Sequence, residues 1–185
     1  MTVLRGSAVT LRPFRADELD RLVEVARGDL DEYGPRGGPR DADGLRDRIA
    51  ISGSWSNGML VLAIEAAGRL VGEVQARNMR GAMPPGVFEL GVEVYEASDR
   101  GRGFGSAAIA EISSWLFANE QAIRVQLTTD LANAAMRRVA ERLGFGYEGT
   151  LRGFMPTAAG PRDYAIYGLT RLDWLEKKGG WIRTS

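Results

Sequence analysis

The chain has 185 residues, with 24 acidic and 24 basic side chains and with neither cysteine nor histidine. This composition excludes disulfide frameworks, zinc sites built from cysteine and histidine, cysteine nucleophiles and every mechanism that uses histidine as a base. The length predicts a single domain over residues 1–185, and the formal net charge of zero gives no field that would attract nucleic acid or an anionic membrane.

The first half of the chain predicts two helices and the start of a sheet. A short strand is predicted over residues 8–11, and Asp17 is predicted to cap the amphipathic helix that follows. Glycines and prolines predict a loop over residues 28–44, and a second short helix is predicted after Asp43. Ala67 and Gly68 stand between two β-rich segments, which predicts a hairpin.

The second half alternates strands and helices. A strand over residues 87–95 precedes a long apolar helix, and a strand, a helix, two closing strands and a terminal helix follow. The order β-α-α-β-β-β-α-β-α-β-β predicts a mixed α/β fold with helices on both faces of a twisted sheet. The side chains of the apolar helix predicted to enter the core are Ile109, Ile112, Leu116 and Phe117.

A glycine-rich turn joins the strand 87–95 to the apolar helix. The N-terminus of a helix presents unpaired N–H groups and a partial positive charge, and glycines allow an anion to approach closely. The turn is therefore a candidate cradle for a pyrophosphate, although a glycine-rich connection without a ligand is the alternative. Its spacing fits neither the dinucleotide-binding motif nor the phosphate-binding loop. Its residues are Arg100, Gly101, Arg102, Gly103, Phe104, Gly105 and Ser106.

Two motifs carry a resemblance to a known family. One is Arg100-x-x-Gly103-x-Gly105, and the other is Asn133 followed by a helix and the segment 143–145, Leu-Gly-Phe. Together they resemble the GNAT superfamily of N-acetyltransferases, and the likeness extends over nearly the whole chain. The two ends of the chain are similar to the RimJ/RimL branch, which acetylates protein N-termini and some small amines, at Leu11-Arg12-Pro13 and at Asp163 and Tyr167.

The resemblance implies a GNAT-like fold, with a mostly antiparallel sheet and a splayed strand pair, that binds acetyl-CoA as co-substrate and needs no metal. Residues 100–106 would hold the pyrophosphate. The backbone of Val92, Glu93 and Val94 would pair with the pantetheine arm, and the amide of Glu93 or Val94 would stabilise the oxyanion.

The resemblance also implies two contacts from the helix after Asn133. The Asn133 side chain would bind the pantetheine amides; a helix N-cap is the alternative, and the two roles can coexist. An arginine of that helix would bind the 3′-phosphate of CoA, with Arg138 the first candidate ahead of Arg137 and Arg142, and a solvated helix face with weak surface ion pairs is the alternative.

Carboxylates are the candidate bases because the chain has no histidine. Strand alternation places Glu89, Gly91 and Glu93 on one face, and a carboxylate in a partly dry cleft can accept the proton of an amine. Glu89 is the first candidate and Glu93 the second, while an exposed polar strand face is the alternative. Many GNAT enzymes carry a tyrosine acid where this chain has Ala140. The possible substitutes are solvent, Tyr95, Tyr147, Tyr164 and Tyr167.

These observations favour an N-acetyltransferase whose acceptor, a protein N-terminus or a small-molecule amine, attacks acetyl-CoA directly in a ternary complex. Ala140 leaves open a CoA-binding protein without transferase activity. The predicted loop 28–44 contains Asp29, Asp31 and Glu32, which are either attractants for a cationic amine or solvated charges. Without a long apolar run or an apolar signal core, we expect a cytoplasmic monomer or homodimer that binds neither membrane nor nucleic acid.

Overall fold

The structure, a computed structural model, describes residues 1–28, 41–78 and 83–181. Most of the predicted loop 28–44, with Asp29, Asp31 and Glu32, lies outside the described residues. The strands are β1 (Leu4–Arg5), β2 (Thr10–Arg12), β3 (Met59–Ala66), β4 (Arg69–Arg77), β5 (Val87–Val94), β6 (Arg124–Asp130), β7 (Gly146–Met155) and β8 (Arg162–Thr170). The helices are α1 (Leu19–Arg27), α2 (Ala42–Ile51), α3 (Phe104–Asn119), α4 (Ala134–Leu143) and α5 (Arg171–Trp181).

The described strands form one eight-stranded sheet in the order β1-β2-β3-β4-β5-β6-β8-β7. Neighbouring strands are antiparallel except for β5 and β6, which run parallel and are joined by the crossover helix α3. The structure confirms the predicted mixed α/β fold with a mostly antiparallel sheet. Among the described helices, none is long and apolar enough to cross a membrane.

The hairpin predicted at Ala67 and Gly68 is present, and it joins β3 to β4. The two residues have φ angles of 50° and 76°. A two-residue turn with two positive φ angles matches the twist of the flanking strands. Because glycine adopts a positive φ without strain, such a turn favours glycine. The turn places Arg69, the first residue of β4, at the end of the sheet where the glycine-rich loop lies.

The structure differs from the sequence prediction at the start of the chain. A strand of two residues, β1, precedes β2, and it is too short to leave an alternation pattern. Asp17 is wrong as the helix cap, because it lies inside a 3₁₀ turn over Ala16–Glu18. The Glu18 carboxylate instead accepts the amide of Arg15 at 2.8 Å, and Arg12 fixes that carboxylate through two hydrogen bonds. The start of α2 is also earlier than predicted, since Asp41 caps it by accepting the amide of Gly44.

Two apolar clusters lie on opposite faces of the sheet. On one face α3 packs through the four side chains predicted to enter the core, all of which are buried. On the other face α1 and α2 cover β3 and the start of β4 with a second cluster that includes Phe14, Leu22 and Leu45. This second face is polar over β5 and β6, where Glu89 lies beside Gln126. The polar half of the sheet therefore faces away from α3.

The anchoring of α3 predicts a large effect of Leu116→Ala on stability. The Leu116 side chain is 0% exposed, and truncation of a buried leucine costs about 2–5 kcal/mol because it removes apolar contacts and leaves a cavity. Urea unfolding followed by circular dichroism measures the free energy of unfolding. Leu172→Ala is the matched control, since Leu172 is 71% exposed, and it should change that free energy by no more than about 0.5 kcal/mol. Equal effects would contradict the assigned packing of α3.

Candidate active site

The parallel strands β5 and β6 pair over only part of their length. Their register runs from Val87 opposite Arg124 to Leu90 opposite Leu127 and ends there. Beyond this point β5 remains paired with β4 as far as Val94, whereas β6 remains paired with β8. The two strands therefore diverge, and among the described residues no strand pairs with 91–94 on the side of β6. We call this gap the seam.

Two contacts show which backbone groups face the seam. The Tyr95 amide donates to the Val71 carbonyl at 3.0 Å, and the Glu93 carbonyl lies against Gly72 of β4. Neighbouring residues of a strand direct their N–H and C=O groups to opposite sides, so the backbone groups of Val92 and Val94 face the seam. The backbone of Glu93 faces β4 instead, and strand alternation turns its side chain to the face opposite α3.

The loop between β5 and α3 keeps the start of the helix open. Gly101 and Gly103 have φ angles of 74° and 87°, which favour glycine, and a Cβ atom at either would meet no atom within 4 Å. Gly103 is the N-cap of α3, and no side chain among the described residues caps the helix. The first amides of α3 therefore have no hydrogen-bond partner within the helix. They are the amides of Phe104, Gly105 and Ser106.

Three arginines surround this helix N-terminus. The Arg100 Nε donates to the Val94 carbonyl at 3.3 Å, and the Arg102 guanidinium lies 4.9 Å from the centre of the Phe104 ring. The Arg142 Nη2, from α4, donates to the Ser106 hydroxyl at 3.2 Å. Their charge adds to the partial positive charge of the helix dipole, and together they make the mouth of α3 suited to an anion.

The three arginines of α4 have different surroundings. Arg138 is exposed. Arg137 donates to the Tyr167 hydroxyl at 3.3 Å. Sequence reasoning ranked Arg142 low because only the contact between α3 and α4, 36 residues apart in the chain, brings it to Ser106.

Asn133 is the N-cap of α4, as the simpler interpretation of this residue predicted. Its Oδ1 accepts the Met136 amide at 3.0 Å, and its own amide donates to the Asp130 carbonyl at the end of β6. The cap uses the side-chain oxygen alone, so the Nδ2 group keeps its capacity to donate. The residue lies at the β6 end of the seam, where a cap and a ligand contact can coexist.

Glu89 lies on the polar face opposite α3, in contact with two neighbouring strands. Its carboxylate accepts from Arg77 of β4 at 3.1 Å and from Gln126 of β6 at 3.4 Å. A Cβ atom added at Gly91 would meet one described group within 4 Å, the Arg77 guanidinium at 3.7 Å. A carboxylate, a guanidinium and an open position thus share one face beside the seam.

The tyrosines proposed as substitutes for the missing acid are differently held. The Tyr95 hydroxyl is buried and donates to Glu73 at 3.0 Å, and burial, followed by the charge of Glu73, raises the pKa of Tyr95 well above its usual range. The Tyr167 hydroxyl donates to Glu141 at 3.1 Å on the α4 side of the sheet. Ala140 is buried in the core. Two of the candidate acids are therefore bound to carboxylates rather than directed into the seam.

Among the residues that the structure describes, no group of three or more carboxylates could hold a metal ion.

The comparisons with known proteins show the family and the fold. The family model described as acetyltransferase (GNAT) domain matches residues 8–146. A search of the curated proteins found no significant match. A probable acetyltransferase of the GNAT family from Chromobacterium violaceum is similar in structure, with 27% identity, coverage of 93% of this chain and 92% of that one, and a TM-score of 0.72.

Two further solved structures contain coenzyme A. Mycobacterium smegmatis RimJ in complex with CoA-disulfide is 25% identical, with 91% of this chain and 86% of that one covered and a TM-score of 0.74. The ribosomal protein alpha-N-acetyltransferase RimL in complex with coenzyme A is 15% identical, with 91% and 98% covered and a TM-score of 0.72. At that identity the likeness to RimL shows the fold alone.

The surroundings of Tyr95 predict that it remains protonated in alkaline solution. A raised pKa means that the folded state favours the neutral phenol, so Tyr95 does not ionise near the usual tyrosine pKa of about 10 while the protein is folded. Absorbance titration at 295 nm from about pH 9 to 11 should give the same curve for the wild type and Tyr95→Phe. Loss of one tyrosine's amplitude in the variant would contradict this placement.

Proposed function

The chain belongs to the GNAT acetyltransferase family and is an acyl-CoA-dependent N-acetyltransferase, and from this premise we propose that it transfers the acetyl group of acetyl-CoA to a primary amine. The transfer is direct, within a ternary complex, and the acceptor is a protein N-terminus or a small-molecule amine. The observation that carries the proposal is the open seam between β5 and β6, which ends at the cationic mouth of α3.

The mouth of α3 binds the diphosphate of the donor in this proposal. Backbone N–H groups of 104–106 donate to the phosphate oxygens, and the glycines of the loop leave room for close approach. Arg100, Gly101, Arg102 and Gly103 form the remainder of the cradle. Arg142 joins it from α4, and we assign Arg138 the longer reach to the 3′-phosphate because it is exposed on the same helix.

The seam binds the pantetheine arm as an additional strand. The backbone groups of Val92 and Val94 face it, and they pair with the amides of the arm in the manner of β-augmentation. One of these two amides donates to the thioester oxygen and stabilises the oxyanion of the tetrahedral intermediate. The Glu93 amide, considered from sequence, is less suited because the backbone of Glu93 faces β4. The Nδ2 group of Asn133 donates to the arm from the β6 side.

The acceptor reaches the thioester from the face of Glu89, because α3 and its core cover the other face. The amine nitrogen attacks the carbonyl carbon, and collapse of the intermediate breaks the C–S bond and releases CoA thiolate. Glu89 takes the proton of the amine directly or through water, with Arg77 holding its carboxylate. Glu93, on the same face, is the second candidate. Solvent protonates the thiolate.

The acceptor class is supported by family and geometry together. RimJ, at 25% identity, belongs to the branch whose motifs this chain resembles. In this proposal the amine approaches the seam over Gly91, where an added Cβ atom would lie 3.7 Å from the Arg77 guanidinium.

Gly103→Glu should abolish CoA binding, because it puts a side chain and a negative charge into the cradle. The Cβ atom meets no atom within 4 Å, so the only structural effect is strain from the positive φ of 87°. Isothermal titration calorimetry with CoA measures the affinity. Gly160→Glu is the matched control, since it adds the same charge at an open position with a φ of 112°. Unchanged affinity in Gly103→Glu would refute the cradle.

Glu89→Gln should lower kcat by about a hundredfold or more while the KM for acetyl-CoA stays nearly constant, because the change removes a base and spares the donor site. Thiol release with an alanine-initiated peptide and with a small aliphatic amine measures both constants. Glu65→Gln is the control, since Glu65 also pairs with an arginine across strands, at 2.7 Å from Arg12. A kcat and a rate–pH profile equal to those of the wild type would exclude Glu89 as the base.

A further inference from the structure

A buried carboxylate lies immediately before the cationic loop. Asp99 is 2% exposed and ends a 3₁₀ turn over Ala97–Asp99. Arg69 donates to both of its oxygens, from Nη1 at 2.9 Å and from Nη2 at 2.8 Å. Arg102 donates to Oδ1 at 3.1 Å. One carboxylate therefore joins the β3–β4 hairpin to the loop that precedes α3.

The charge of Asp99 is unfavourable for an anion site. A negative charge next to the loop weakens the attraction of the arginines for phosphate. The carboxylate nevertheless stays ionised, because the hydrogen bonds from Arg69 hold the pKa of Asp99 below its usual range. Asp99 therefore cannot serve to attract an anionic ligand. Its role is to hold the residues that it binds in place.

We propose that Asp99, clamped by Arg69, is a positioning residue for the CoA diphosphate. The inference rests on the proposed function. The two-pronged geometry of an arginine and a carboxylate fixes both partners in orientation, so the turn and Arg102 are held in one arrangement. Arg100 fixes the other side of the loop by its hydrogen bond to the Val94 carbonyl.

Because Asp99 and Arg100 are both held by these hydrogen bonds, the loop is ordered before the ligand binds. An ordered loop spares the ligand the entropic cost of ordering it, and so raises affinity. Arg69 touches neither phosphate nor acetyl group in this account. Its effect is exerted through Asp99 on the loop, and it should appear in donor affinity rather than in the chemical step.

Asp99→Asn distinguishes positioning from electrostatics, because the two predict opposite changes in the affinity for CoA. The variant removes a negative charge beside an anion site, so Coulomb attraction alone predicts tighter CoA binding. It also weakens the clamp, so positioning predicts weaker binding. Arg69→Lys complements it, because lysine keeps the charge but lacks the fork that binds both carboxylate oxygens.

The experiment is calorimetric titration of the full chain with CoA, together with steady-state kinetics in acetyl-CoA. We expect Asp99→Asn and Arg69→Lys each to weaken CoA binding about tenfold, equivalent to about 1.4 kcal/mol. The KM for acetyl-CoA should rise by a similar factor while kcat at saturation stays within about twofold. The double variant should lose no more than either single one, because both break the same clamp.

Asp43→Asn is the matched control, since it also removes an aspartate from a pair with an arginine, Arg46, on the exposed surface of α2. It should leave CoA affinity unchanged. If Asp99→Asn does not fold, as judged by its thermal transition, Arg69→Lys decides. Tighter or unchanged binding in the deciding variant overturns the positioning role but leaves the proposed function intact. Failure of the wild type to bind CoA overturns both.

Discussion

The strands β5 and β6 are paired only as far as Leu90 and Leu127, and beyond these residues each continues with its other neighbour while the two diverge. Antiparallel pairing with β4 holds β5 as far as Val94, and antiparallel pairing with β8 holds β6 as far as Asp130. The backbone groups of Val92 and the amide of Val94 are left facing a gap in the middle of the sheet, while the Val94 carbonyl accepts from the Arg100 Nε at 3.3 Å. An extended molecule with amide groups can pair with such backbone groups as another strand would.

The helix α3 gives the seam two different ends, because the N-terminus of α3 lies at one of them. Its buried face fixes it to the sheet, and its first turn lies against the end of β5, where a Cβ atom added at Gly105 would be 3.6 Å from Val94 and 3.7 Å from Val92. The mouth of α3 and the seam are therefore continuous. In the function we propose, a donor with a diphosphate at one end and a thioester at the other is held in one orientation, with the thioester at the polar face of Glu89.

Local sequence signals predicted the parts of this arrangement that depend on neighbouring residues. The hairpin at Ala67 and Gly68 follows from turn geometry, and the cap at Asn133 follows from its position before a helix. The two-residue strand β1 leaves no periodic signal. Asp17 resembles a helix cap, but the N-cap residue of α1 is Glu18, whose carboxylate is held by Arg12 at the end of β2.

The remaining features depend on contacts between distant parts of the chain. Asp99 meets Arg69 across 30 positions, and Arg142 meets Ser106 across 36. The sequence also could not decide whether the backbone of Glu93 faces the seam. The alternation pattern predicts which face of the sheet a side chain lies on, whereas the pairing with β4 determines which neighbouring strand an amide faces. A crystal structure with CoA tests the central claim most directly. It should show the diphosphate on the first amides of α3 and the pantetheine arm paired with Val92 and Val94; CoA bound elsewhere, or β5 and β6 paired through Val94, would contradict it.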